Sequence, residues 1–148
     1  NDLPESMSLV HPRPDYAKNG KDGRKEWVSV NKALMVLKRW KRDFPNDIGS
    51  KYKVKYRNFT GHRQTDGNAP SPTILARGNG KGGVCAIPHP NGKRRMTVRE
   101  SALIQTFPIG FEFVGSVNSM YRQIGNAVPV LYGKKLGEVL LKLSQYER

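Results

Sequence analysis

One thiol, one threonine–glutamate spacing and one glycine-rich loop are the features of this sequence from which chemistry can be argued. Cys85 is the only cysteine, which excludes an internal disulfide and a thiolate-rich metal site. A nucleophilic thiol needs a helix start or a cationic neighbour to lower its pKa. In "GVCAI" neither stands next to it, so Cys85 reads as a half-buried strand residue. Thr97 and Glu100 have the spacing of a capping box, in which each side chain satisfies an amide at a helix start. Arg99 then falls in the first helical turn, where the helix dipole disfavours a cation. It calls for a specific partner, either a carboxylate or a DNA phosphate.

The loop at 78–83 holds Gly78, Gly80, Gly82 and Gly83. Glycines let a backbone approach a ligand closely. Neither GxxxxGK[ST] nor a GxGxxG between strand and helix occurs, so this is no nucleotide-phosphate loop of either kind.

The charge balance names the class of partner. Lys plus Arg number 26 against 12 Asp plus Glu, a formal net charge of +14. Such a surface favours a polyanion, because phosphate contacts release counterions. Nucleic acid comes first, an anionic membrane surface second, and a merely soluble basic protein is the bland alternative. No long apolar run resembles a signal peptide or a spanning helix. The 148 residues suffice for one ordinary domain or two small lobes.

Several elements must position these residues. Residues 1–27 read as extended or irregular, with Pro4, Pro12 and Pro14 and the turn-rich "KNGKDG" at 18–23. Ser29 can cap a helix whose Val30, Ala33, Leu34, Leu37 and Trp40 recur near a 3.6-residue period. Lys38, Arg39, Lys41 and Arg42 crowd its end, as a solvated terminus or as a phosphate-binding patch. "KYKVKYR" at 51–57 alternates as a strand with one basic face. That face can follow a phosphate backbone or protect a sheet edge. "SPTILARGNGKGGVCAIPHP" suggests strand, glycine loop, strand, with Thr73, Ile74 and Leu75 in the first. The capping box opens a short helix that Pro108 should stop, and "FEFVG" is expected to bury Phe111 and Phe113 around a bend at Gly115. Gly125 and Asn126 read as a tight turn. Pro129 suits the first turn of a terminal helix with Leu136, Val139, Leu140 and Leu143 on its apolar face and Gly133 and Gly137 four apart. Within this chain that helix has little sheet to lie against.

"RRMTVRESALIQTFPIGFEFVG" at 94–115, followed by "YRQIGNAVPVLYGKKLG", resembles the last two conserved motifs of DNA (cytosine-5-) methyltransferases. The first motif of that family reads approximately R-x-L-T-x-R-E-x-A-R-x-Q-x-F-P-D-x-F-x-F-x-G, and the second Y-x-Q-x-G-N-[AS]-V-P. "PSPTILARGNGKGG" is similar to the family's target recognition element and its glycine loop. The sequence departs from the first motif at Leu103 and Ile109, where the pattern has arginine and aspartate.

The resemblance implies an α+β chain: a small mixed recognition domain over 1–93, then conserved motifs over 94–148. The C-terminal helices would pack on a Rossmann-like methyltransferase core. It implies DNA-facing roles for Thr73, Arg77, Gly78, Gly80, Gly83 and Arg99, and places Asn126, Ala127 and Val128 near S-adenosylmethionine. It assigns structural roles to Arg94, Thr97, Glu100, Gln123, Gly125 and Pro129. In that family a Pro-Cys thiolate adds to carbon 6 of a flipped cytosine, a glutamate in Glu-Asn-Val assists, and carbon 5 takes the methyl group. Neither Pro-Cys nor Glu-Asn-Val occurs here. No catalytic residue and no metal ligand is therefore expected, and the chain alone should be inactive. The implied partners are double-stranded DNA and a catalytic methyltransferase domain, in the same chain or as a separate subunit, with no membrane. The setting is that of restriction–modification, in a prokaryotic cytoplasm. The alternative is a non-catalytic DNA-binding protein or specificity subunit on the same scaffold.

Overall fold

The computed structural model describes residues 12, 14–39, 43–50, 64–76 and 87–146. The expected strand at 51–57 lies outside the described residues, as do Cys85 and Trp40. The architecture is a mixed α+β one, with a two-stranded sheet and four α-helices among the described residues. It comprises two compact units, residues 1–27 with 128–148 and residues 28–127.

In the first unit, β1 (Tyr16–Ala17) pairs in parallel with β2 (Lys25–Glu26), Tyr16 opposite Lys25. Parallel strands ordinarily need a crossover of a dozen residues or more. Here the six-residue coil Lys18–Gly23 followed by Arg24 returns the chain, with Asn19, Gly20, Asp22 and Gly23 all at positive φ. That coil matches the turn-rich reading of 18–23, whereas the strand pairing was not legible. The ammonium of Lys18 lies 5.8 Å from the Trp27 ring centroid, a cation–π contact. The same unit contains the terminal helix, α4 (Val130–Tyr146), whose first internal bond runs from the Gly133 amide to the Pro129 carbonyl.

The second unit holds the core. α1 (Val30–Arg39) buries Val30 and Leu34, and the Ser29 hydroxyl accepts the Lys32 amide at its start. Two more orphan amides of that start, at Val30 and Asn31, donate to the carbonyls of Ala69 and Gly67. α2 (Val98–Ile104) opens with the expected capping box. It stops earlier than Pro108: Gln105 caps it and Thr106 turns left-handed at φ +61. α3 (Val117–Asn126), capped by Ser116, replaces the tight turn expected at Gly125–Asn126, which instead forms the last turn of this helix. A hairpin joins Pro88 to Arg95 in an antiparallel bridge, and the Met96 amide donates to the Ile87 carbonyl. No strand forms at Thr73–Leu75, although Ile74 is buried there.

Met96, Val98, Ala102 and Ile124 lie at the centre of this unit, packed with Phe113, Met120 and Tyr121. Phe111 departs from expectation. It is 44% exposed, its ring resting 4.9 Å from Phe113 and 5.0 Å from Phe107. Gly115 closes the bend at φ +109, a backbone conformation that glycine adopts freely. The compact unit runs across the 93/94 boundary drawn from the sequence. The physical reason is that α1, Ile74 and Ile87 share one core with the 94–127 motifs.

Candidate functional site

α2 is the hub from which the candidate site is built. The Arg94 guanidinium donates to both Glu100 oxygens at 2.6 Å each, a bidentate fork. One of those oxygens also accepts the Thr97 amide at 2.8 Å, while the Thr97 hydroxyl accepts the Glu100 amide. His89 adds its Nε2 at 3.6 Å from Glu100. Burial pushes the Glu100 pKa up, but the hydrogen bonds from Arg94 and Thr97 and the nearby cations outweigh it, so the net shift is downward. Glu100 stays ionised.

Arg99 is 0% exposed. Its guanidinium donates to the carbonyls of Pro45, Pro108 and Phe111. Burial lowers its pKa, opposed by Asp47 and Glu112, yet a guanidinium remains charged in a protein. Three carbonyl dipoles hold the cation, where the sequence suggested a carboxylate or a DNA phosphate. Full burial corrects its assignment as a DNA-facing residue, because no surface is left to offer a phosphate.

The turn at 45–47 is locked onto α2 by a second residue. The Asn46 side chain accepts the Phe113 amide at 2.8 Å and donates to the Phe113 carbonyl at 3.1 Å, and its own carbonyl accepts the Arg99 amide. Asn46 itself sits at φ +61. Opposite, the buried Tyr121 hydroxyl donates to the Met96 carbonyl at 2.6 Å, and burial pushes its pKa up to about 12.

At the far end of α2, the Gln105 carboxamide donates to the carbonyls of Ile124 and Ala127, each at 3.1 Å. It thereby grips the exit of α3. On another side of that exit, a Cβ added to Gly125 would stand 2.5 Å from the Leu75 carbonyl carbon and 2.6 Å from the Ala76 nitrogen. Glycine is thus required at 125 by a neighbouring backbone, not by its own φ. Gln123 braces the other flank of α3, donating to the Val114 carbonyl at 2.9 Å.

The structure therefore brings the Thr73–Ala76 segment to the end of α3, beside Gly125. Thr73 is exposed there; Arg77, Gly78, Gly80 and Gly83 lie outside the described residues. Asn126 is exposed and Ala127 half-buried in an extended conformation. Val128, exposed, and Pro129 belong to the first unit. Sequence reasoning missed Gln105 and Asn46. A signal for Gln105 exists: Val98, Ala102 and Gln105 are spaced i, i+4, i+7, so a polar residue ends the apolar stripe of α2.

Among the described residues no cluster of His, Cys, Asp or Glu can hold a metal ion, and no helix is long and apolar enough to cross a membrane. The exposed carboxamide of Asn126 offers both a donor and an acceptor, and it has no hydrogen-bond partner among the described residues. A carboxamide of this kind can pair with either a carboxylate or an ammonium.

Comparison with known proteins identifies relatives. The family of C-5 cytosine-specific DNA methylases matches over residues 3–142. The type II methyltransferase M.NgoFVII of Neisseria gonorrhoeae is 32% identical over 150 residues, covering 86% of this chain and 39% of that protein. M.PspPI of Psychrobacter sp. is 36% identical over 69% of this chain and 25% of its own length. M.AplI of Arthrospira platensis reaches 56% identity, over 33% of this chain and 14% of its own. The chain thus spans well under half the length of these curated relatives. No solved structure matches it.

Proposed function

The chain belongs to the C-5 cytosine-specific DNA methylase family, and from that premise we propose that it is the carboxy-terminal part of a DNA (cytosine-5-)-methyltransferase. Its role is to recognise double-stranded DNA and to complete the S-adenosylmethionine site. The nucleophile and the Rossmann-like core come from other residues, in the same chain or in a partner subunit.

One observation carries this reading. α4 is 17 residues long and buries none of its described side chains. Leu131 is 60% exposed, Leu140 61% and Leu141 66%. Of the apolar face expected at Leu136, Val139, Leu140 and Leu143, three residues are half-buried and Leu140 is open. A helix this apolar takes its stability from packing, and the Rossmann-like core supplies the missing surface.

In the mechanism, each residue acts by holding something in place. Thr73, Arg77, Gly78, Gly80 and Gly83 face the DNA, whose target cytosine must leave the stack to be modified. Arg94, Thr97 and Glu100 fix the start of α2, and through Arg99 and Gln105 that helix sets the positions of 45–47, 108–111 and the α3 exit. Asn126, whose exposed carboxamide offers a donor and an acceptor to a carboxylate or an ammonium, would hold S-adenosylmethionine together with Ala127, and Val128 leads from them into the last helix. Bound there, S-adenosylmethionine supplies an electrophilic methyl group.

The test is methyl transfer from labelled S-adenosylmethionine to mixed-sequence duplex DNA, with the chain alone and with its complementary catalytic part. Activity only on mixing is the expected result. Activity of the chain alone would return attention to Cys85. Silence in both, with duplex binding intact, would favour a non-catalytic DNA-binding protein on the same scaffold.

A further inference from the structure

Gln105 is placed to do more than end a helix. It sits at the C-cap of α2, 9% exposed, and its one carboxamide nitrogen serves two carbonyls, those of Ile124 and Ala127. Ile124 lies in the last turns of α3 and Ala127 is the first residue beyond it. The two carbonyls therefore straddle Gly125 and Asn126. A local bond already closes this end, since the Ala127 amide donates to the Ile124 carbonyl at 3.2 Å. The contribution of Gln105 is different in kind, because it ties the exit to another helix and so fixes its place in the unit. Gly125, meeting the Leu75–Ala76 backbone, blocks movement on a further side. Between these two restraints the Asn126 side chain is exposed.

We infer that Gln105 is a positioning residue for S-adenosylmethionine, setting the angle at which Asn126 and Ala127 meet the cofactor without touching it. The inference rests on the cofactor-facing reading of Asn126 and Ala127 given above. A side chain that only stabilised the fold would affect every ligand through the folded fraction alone. A positioning residue affects the ligand that its turn faces.

The experiment uses the assembled enzyme, comprising this chain together with its catalytic part. Kd for S-adenosylmethionine and, separately, for duplex DNA is measured by calorimetry well below the unfolding midpoint. Gln105→Met keeps the volume and removes both donors. The expected result is a rise of about tenfold in the cofactor Kd, the equivalent of one net hydrogen bond, with the DNA Kd within about twofold. Val98→Ala removes buried volume from the same helix without removing a hydrogen bond to α3, and should leave both constants unchanged. Asn126→Ala changes an exposed residue and keeps the fold. If Gln105 acts through Asn126, adding Gln105→Met to Asn126→Ala costs little more than Asn126→Ala alone.

Gln105→Met binding the cofactor like the unmodified enzyme would remove the positioning role and leave the cofactor reading standing. Cofactor and DNA weakening together, as an unfolding variant would show, or fully additive losses in the double variant, would also overturn it. An unmodified enzyme that binds no S-adenosylmethionine would overturn the cofactor reading and the inference with it.

Discussion

Arg94 and Glu100 face each other across two parallel hydrogen bonds of 2.6 Å, and the carboxylate that receives them also caps α2. Glu100→Gln should cost about 1–3 kcal/mol, toward the lower end because the Arg94 side chain is 45% exposed. Glu100 has its pKa lowered in the folded protein. Its contribution is therefore present above the unfolded glutamate pKa and is lost as pH falls through the lower folded value. Urea unfolding at a series of pH values should show the difference between native and Glu100→Gln shrinking in acid. A difference that did not vary with pH would reject the assignment.

Arg99→Lys should destabilise by roughly 2–4 kcal/mol, because an ammonium cannot span the carbonyls of Pro45, Pro108 and Phe111 and remains a buried cation. Denaturant titration measures the loss. Weaker DNA binding with stability unchanged would instead restore a phosphate-facing role.

Asn46 combines a side-chain clamp on Phe113 with a φ of +61. Asn46→Ala loses both hydrogen bonds and strains the backbone, for an expected cost of about 2–3 kcal/mol. Asn46→Gly loses the clamp only and should be milder by about 1 kcal/mol. Equal losses in the two variants would show that the left-handed backbone stores no strain.

Two glycines in helices should respond with opposite sign. Gly125→Ala drives a methyl into the Leu75 backbone and should cost about 1–3 kcal/mol. Gly137→Ala meets nothing within 4 Å, and in the isolated chain should stabilise by about 0.5–1 kcal/mol through helix propensity. If α4 packs closely on the catalytic part through Gly137, the same change weakens assembly. Thermal melts of the chain and a pull-down with its catalytic part separate the two effects.

Local signals were legible in the sequence where a residue's neighbours decide its conformation. Ser29, Thr97 and Glu100 cap the helices that their spacing foretold, and Gly115 closes the expected bend. Signals that depend on distant chain were not legible. Arg99 invited a charged partner because carbonyls 9, 12 and 54 residues away leave no pattern around it. α3 was missed because the Gly-Asn pair that reads as a turn ends a helix, glycine being demanded by Leu75 and Ala76. Thr73–Leu75 has strand-forming side chains but no strand partner among the described residues, so propensity yielded to packing through Ile74.

The order in which the chain closes follows from the division into units. The Asn46–Phe113 clamp joins residues 67 apart, so the core cannot assemble until most of the chain has been made, and such non-local closure slows folding. The first unit waits longer still, since residues 1–27 share it with 128–148. During synthesis residues 1–27 leave the ribosome long before the helix that completes their unit. A product truncated before α4 would retain the central core and leave β1 and β2 without the helix that completes their unit, an exposed segment for proteases.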